Sequence, residues 1–445
     1  MPTLSGRPAR GLAAAIASDQ YVGYAYAYPH KTSYRKFDPP VNLASVWLHE
    51  NKTQLCLYVH LPFCEMRCGF CNLFTASQPS SNLVEQTLEA ISRQSIVVAD
   101  AVDPQAIAQV AIGGGTPTYL TAHELCRVFE MMQRDWPMAV GSIPFSIEVS
   151  PSTVDQTKLG LMIAHGVRRI SMGVQSFVDR DLSSLGRPQN NHQVDKAIGL
   201  IRKCGAKILN LDLIYGNRGQ TEADWVRTVE RGISYRPEEM FLYPLYVREL
   251  TGLGRTGRSP AENRRHLYER GRDLLLHAGY RQISMRMFRR SDVEYSTQHC
   301  CQEDGMIGLG PGARSYTSAL HYSSDYAVSG TGVRKIIADF NQKDEKHFGI
   351  ADYGVWLNHE EQNRRYLIRS LLQTHGLDRM AFRMKFGADV RHLLPQVDEL
   401  IKQEYAELTD ERLQLTTDGI AHSDVIGPWL YSDSVQKQME QFELK

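Results

Sequence analysis

Three cysteines, Cys64, Cys68 and Cys71, stand in the segment Tyr58-Val-His-Leu-Pro-Phe-Cys-Glu-Met-Arg-Cys-Gly-Phe-Cys, a C-x3-C-x2-C spacing. Structural zinc sites draw on four ligands, commonly in paired C-x2-C units. No second pair lies nearby. Thiolates at such short spacing in a loop suit a 4Fe–4S cluster, which normally takes four cysteines. With only three, one iron keeps an open position, the condition a catalytic metal site needs. The other cysteines, Cys56, Cys126, Cys204, Cys300 and Cys301, are scattered apart from the vicinal pair. Clustered cysteines in a large chain without an export signal point to metal or redox chemistry over a disulfide framework.

Other residues whose types could do chemistry lie further along. Gly113-Gly114-Gly115-Thr116-Pro117 lets backbone approach a ligand closely, although such a run serves a tight turn equally well. Glu148 is a carboxylate inside the apolar run Ser-Ile-Glu-Val-Ser, read as a buried acid that needs partners. Arg248, Arg255, Arg258, Arg286, Arg289 and Arg290 offer cations to a substrate bearing carboxylates, or simply a solvated face.

The elements that must position them follow from periodicity. Short apolar runs at Gln54–His60, Gln109–Ile112, Phe145–Val149, Arg169–Gly173, Ile208–Ile214 and Met240–Leu245 read as strands. Between them lie helical spacings: Val84, Leu88 and Ile91, then 121–134, 153–165, 191–204 and 222–234. Serial β-α units imply an α/β protein with a parallel sheet, open or curled into a barrel. Both architectures put active sites at the carboxyl ends of the strands, where the cysteine and glycine motifs fall.

Residues 1–50 read as an N-terminal arm, with Tyr24-Ala-Tyr-Ala-Tyr28 a candidate edge strand ended by Pro29. Residues 51–330 form the main domain with accessory strands, 331–355 a linker, and 356–445 a C-terminal α+β domain of winged-helix-like pattern. That last domain has no concentrated basic helix, so nucleic acid is not expected as a partner. Lys+Arg and Asp+Glu both number 50 in 445 residues, giving zero formal net charge and no global basic footprint. No run approaches a membrane span, and no signal sequence opens the chain, so a cytoplasmic protein without a membrane partner is expected.

The cysteine segment resembles the signature of radical S-adenosylmethionine (SAM) enzymes. The text from Leu55 to Tyr316 resembles the oxygen-independent coproporphyrinogen III oxidase group, which includes haem chaperones and radical methyltransferases. The resemblance implies a partial (β/α)6 barrel, a 4Fe–4S cluster on Cys64, Cys68 and Cys71, and one or two SAM molecules. It implies cofactor contacts from Tyr58, Phe70, Gly114, Gly115, Thr116, Glu148, Gln175, Arg187, Asp212, Ile214 and Arg314. It further implies a small-molecule substrate of tetrapyrrole type and a flavodoxin- or ferredoxin-type electron donor.

Two departures stand out. The oxidase carries a fourth cysteine two residues after the third, where this chain has Leu73. Cys300 and Cys301, preceding Gly308-Leu-Gly-Pro-Gly-Ala-Arg314-Ser-Tyr316, are candidate catalytic thiols acting as hydrogen donors near the barrel mouth, with His299 beside them.

Overall fold

The computed structural model describes residues 11–293 and 300–444. They fall into two compact units, one of residues 36–281, 289–293, 300–353 and 444, the other of residues 11–35, 282–288 and 354–443.

The larger unit is built on six parallel strands: β1 (Leu55–Leu61), β2 (Ile107–Gly114), β3 (Phe145–Val149), β4 (Arg169–Gln175), β5 (Ile208–Tyr215) and β6 (Glu239–Pro244). They are adjacent in sequence order, and helices α1 (Ser81–Val102), α2 (Ala122–Asp135), α3 (Gln156–Ala164), α4 (Asn191–Cys204) and α5 (Glu222–Ser234) join them. Helix ends follow local chemistry: capping boxes at Thr121/Glu124, Asn190/Gln193 and Thr221/Asp224 satisfy the first free N–H groups, and Gly205 ends α4 at φ 83°.

Strand β7 (Met306–Leu309) pairs parallel to the outer side of β1, and the sheet continues through Arg314–Tyr316, Leu320–Ser323 and Ile350–Trp356 to Arg35–Asn42. At the other edge it ends with Met287–Arg290 and Tyr280–Gln282. The two edges stay separate, so the six β/α units form a partial barrel.

Register gives the sheet its two characters. One face carries Ile112, Ile147, Ile170 and Leu209 in line across β2 to β5, all buried. The other carries Ala111 beside Ser146, Glu148 beside Ser171, and Asp212 between Gly173 and Phe241. At the amino ends of the strands this polar face is closed by Glu239, fully buried between Arg169 (2.7 Å) and Arg289 (2.8 Å).

Two expectations about organisation change. Segment 331–355 is no linker: it holds the helix Gly330–Asn341 and most of the strand Ile350–Trp356, where Ala351, Tyr353 and Val355 are buried in alternation. Within 1–50, the stretch Tyr24–Tyr28 forms no strand, whereas Arg35–Asn42 does, its Pro39 and Pro40 tolerated because the strand is a sheet edge.

The smaller unit contains the expected helices and wing: His359–Leu371, Arg379–Phe386 and Gln396–Lys402, with an antiparallel sheet of Leu377–Asp378, Arg412–Leu415 and Ala406–Leu408. The tyrosine-rich arm belongs to this unit. The Gly23 N–H donates to the Asp424 carbonyl at 3.2 Å, and Arg286 grips the Asp424 carboxylate at 2.6 and 2.7 Å beneath the Tyr24 ring. Tyr28 is fully buried and donates to Glu361. In this segment Ala25, Ala27 and Tyr28 are buried while Tyr24 is exposed, and the segment's hydrogen bonds go to Asp424 and Glu361 instead of a strand partner. Among the described residues no helix is long and apolar enough to cross a membrane.

Candidate metal and cofactor site

The chain leaves β1 at Leu61, forms the two-residue strand Phe63–Cys64 against Ala76–Ser77, and carries the three cysteines in the loop between. Each sulfur has a polar neighbour. Thr116 Oγ1 donates to Cys64 Sγ at 3.7 Å, Arg187 Nη1 donates to Cys68 Sγ at 3.3 Å, and Thr75 Oγ1 lies 4.0 Å from Cys71 Sγ. Burial pushes the Cys64 thiol up to about 12 and the Cys71 thiol upward, so bound metal is what would hold them as thiolates.

Among the described residues no three His, Cys, Asp or Glu side chains converge on one ion position. A 4Fe–4S cluster binds each thiolate through a different iron, so three cysteines on one loop fit it, with one iron left over.

The loop is clamped by close glycine packing. The Gly69 N–H donates to the Leu185 carbonyl at 2.9 Å, and its carbonyl accepts from Leu253 N–H at 2.8 Å. A Cβ at Gly69 would stand 2.9 Å from the Leu185 oxygen, and one at Gly252 would stand 3.1 Å from Gly69 Cα. Three loops meet there with no room for a side chain.

The glycine run is stitched to the same loop: the Gly115 N–H donates to Leu61 O at 2.8 Å and the Thr116 N–H to Phe63 O at 2.7 Å. Gly114 turns at φ 113°, and its N–H donates to Glu148 Oε2 at 3.3 Å. His60 braces this turn from below. Its Nε2 is 3.0 Å from Phe74 O, its Nδ1 is 3.0 Å from Tyr58 Oη, and a Cβ at Gly114 would press on its ring at 2.7 Å.

Glu148 is not buried, contrary to expectation. Phe145, Ile147 and Val149 occupy the buried face of β3, and Glu148 opens to solvent on the opposite one. Protein still surrounds the carboxyl closely enough that desolvation, with Asp212 as a second cause, pushes it up to about 7. Desolvation also raises Asp212, against hydrogen bonds from Asn210 (2.8 Å) and Ser171 (3.4 Å). Two carboxyls thus share one face, the Asp212 charge opposing the ionisation of Glu148, an arrangement that favours a cationic ligand there.

Gln175 sits at φ 69° where β4 and β5 slip register, and the Arg187 loop lies against this bulge: Arg187 Nη2 donates to the Gly173 carbonyl and Gln189 Nε2 to Val174 O at 2.9 Å. Phe70 and Ile214 meet in one apolar cluster with Leu185, Leu245 and Leu253, against which Tyr243 packs. Arg314 lies on the strand Arg314–Tyr316, its backbone against Gly308, which pairs with Tyr58.

Cys300 and Cys301 do not join this group. They precede Met306, whose strand runs parallel to β1 with Met306 beside Cys56, so the pair lies toward the amino ends of the strands while the cysteine loop leaves the carboxyl end. Cys300 is held there by its N–H to Asp304 Oδ2 at 2.6 Å. Strand direction overrides their closeness in sequence to the glycine motif. His299 lies outside the described residues.

Three of the candidate substrate arginines are otherwise engaged: Arg286 with Asp424, Arg289 with Glu239, and Arg290 with Asp292 at 2.6 Å. Arg248 stacks over Tyr246 at 4.9 Å, Arg258 donates to Ser184 O at 3.0 Å, and Arg255 is exposed.

Sequence reasoning missed His60 and Gly69. His60 had a signal, since alternation along β1 sets it on the face of Tyr58; Gly69 had none, because its constraint comes from loops distant in sequence.

With the geometry in place, comparison with known proteins is specific. Residues 58–232 match the radical SAM superfamily, whose members use a 4Fe–4S cluster and SAM, and residues 357–422 match the HemN C-terminal domain. The chain is similar to the heme chaperone HemW of Bacillus subtilis, 26% identical over 84% of this chain and 98% of that protein. It is equally similar to the oxygen-independent coproporphyrinogen III oxidase of Escherichia coli, 26% identical over 89% of this chain and 91% of the other. The solved Escherichia coli coproporphyrinogen III oxidase HemN shares the fold with a TM-score of 0.80 at 21% identity, across 92% of this chain and 96% of that one.

Proposed function

We propose that this chain, a radical SAM protein of the HemN family, holds a 4Fe–4S cluster on Cys64, Cys68 and Cys71 and acts as an enzyme on a tetrapyrrole. The observation that carries the reading is the junction of the three-cysteine loop with the glycine turn and the Glu148–Asp212 face. When bound, the reduced cluster and SAM supply a 5′-deoxyadenosyl radical able to abstract hydrogen.

The chain's own residues would do the rest. Glu148 and Asp212, as carboxylates, receive the positively charged groups of SAM. The turn at Gly114 and Gly115, with Thr116, admits the methionyl end without side-chain hindrance. Phe70 and Ile214 give an apolar wall to the adenine end, with Tyr58 on the neighbouring strand face. Gln175, fixed at the bulge, limits the space left for substrate. Tetrapyrrole as substrate class is supported by the names of both kinds of relative, an oxidase of coproporphyrinogen and a chaperone of haem.

Leu73, in place of the oxidase's fourth cysteine, favours a product other than that of strict coproporphyrinogen decarboxylation. Anaerobic turnover of the reconstituted protein with coproporphyrinogen III and with haem tests the proposal. Substrate-dependent 5′-deoxyadenosine with a changed tetrapyrrole supports an enzyme; a decarboxylated product assigns oxidation and a methylated one assigns methyl transfer. Stable haem binding with no consumption of SAM would overturn the enzymatic reading in favour of a chaperone.

A further inference from the structure

Arg187 is fixed at all three of its side-chain nitrogens. Nη1 donates to Cys68 Sγ at 3.3 Å, Nη2 to the Gly173 carbonyl, and Nε to Gln189 Oε1 at 3.0 Å. Its backbone is equally constrained: the Arg187 N–H donates to Leu182 O at 2.9 Å, and Gly186, at φ 60°, packs against Gly69. A guanidinium keeps its charge at any working pH. Its hydrogen-bond acceptors include no carboxylate, although Asp212 lies near enough to feel its charge, so a cation is held in hydrogen-bond contact with one sulfur of the cysteine loop.

We infer that Arg187 acts through Cys68 to set the reduction potential of the cluster. This rests on the reading of the three cysteines as cluster ligands. Reduction adds one electron, taken from an external one-electron donor, and the added density is shared with the ligand sulfurs. Hydrogen bonds to the sulfurs and nearby charge are levers on cluster potential. A cation donating to thiolate stabilises the reduced, more negative form more than the oxidised form. Arg187 therefore raises the potential and makes the cluster easier to reduce.

The test uses the full chain, reconstituted anaerobically as wild type, Arg187→Met and Arg187→Lys, with iron content measured first. Failure of the wild type to take up iron would strike at the cluster reading itself and would be seen before any variant is compared. Midpoint potentials are then read by electron paramagnetic resonance during a redox titration without SAM. The expected result is a more negative midpoint for Arg187→Met, with Arg187→Lys between it and wild type because lysine keeps the charge and loses the fork. If Arg187→Met does not load, the Arg187→Lys shift decides alone. Wild-type midpoints in the loaded variants, whatever their affinity for SAM, would overturn the inference and leave Arg187 to the cofactor only.

Discussion

Glu148 Oε2 accepts the backbone N–H of Gly114 at 3.3 Å, tying an acid on β3 to the glycine turn that ends β2. The turn and the acid thus form one surface, and the chemistry of the acid sets how that surface responds to pH.

Desolvation by the protein around its carboxyl, with Asp212, pushes Glu148 up to about 7, so below that pH a cationic ligand must displace a proton to bind. SAM affinity of the cluster-loaded protein should be constant above pH 7 and fall by up to about tenfold per pH unit below it. Glu148→Gln should bind more weakly at pH 8 and lose this pH dependence. Calorimetric titrations between pH 5.5 and 8 would check both, and an unchanged profile in the variant would assign the titration to another group.

Gly69 has no space for a methyl group, with the Leu185 oxygen 2.9 Å from where a Cβ would go. Gly69→Ala should lose cluster occupancy and cost roughly 1–3 kcal/mol, the usual range for overpacking. Iron content and thermal unfolding measure the two effects.

How much of this was legible in sequence differs from residue to residue. Helices Asn191–Cys204 and Glu222–Ser234 stand where spacing puts them, because their capping boxes mark the starts and Gly205 one end. Strand alternation tells which residues of Phe145–Val149 share a face, but not which face stays open, so Glu148 reads as buried. The placement of Cys300 and Cys301 is hidden for another reason. Nearness in sequence to Gly308 hides the direction of the strand between them, which only pairing with β1 reveals. The tyrosine arm is illegible because its partners, Asp424 and Glu361, lie some four hundred residues and over three hundred residues away in the chain.

Cys300 and Cys301 now carry the opposite expectation to the one their sequence neighbourhood suggests. Replacing both with Ser should leave iron content, SAM cleavage and product yield at wild-type levels, since the pair sits away from the carboxyl ends of the strands. A selective loss of product with cleavage intact would restore them as participants.

Glu239, fully buried, is shared by Arg169 and Arg289. Glu239→Leu leaves two guanidinium groups without their carboxylate and should cost about 3–5 kcal/mol, the range for breaking a buried pair. Chemical denaturation reads the loss. A cost near zero would show that water or another acid takes over the arginines.

The central claim is that Cys64, Cys68 and Cys71 hold a cluster whose remaining iron is open to SAM. Electron paramagnetic resonance of the reduced, reconstituted protein, recorded with and without SAM, tests it most directly. The account predicts a reduced 4Fe–4S signal that changes when SAM is added and is absent from the Cys68→Ala variant. A signal indifferent to SAM, or one that survives loss of Cys68, would contradict it.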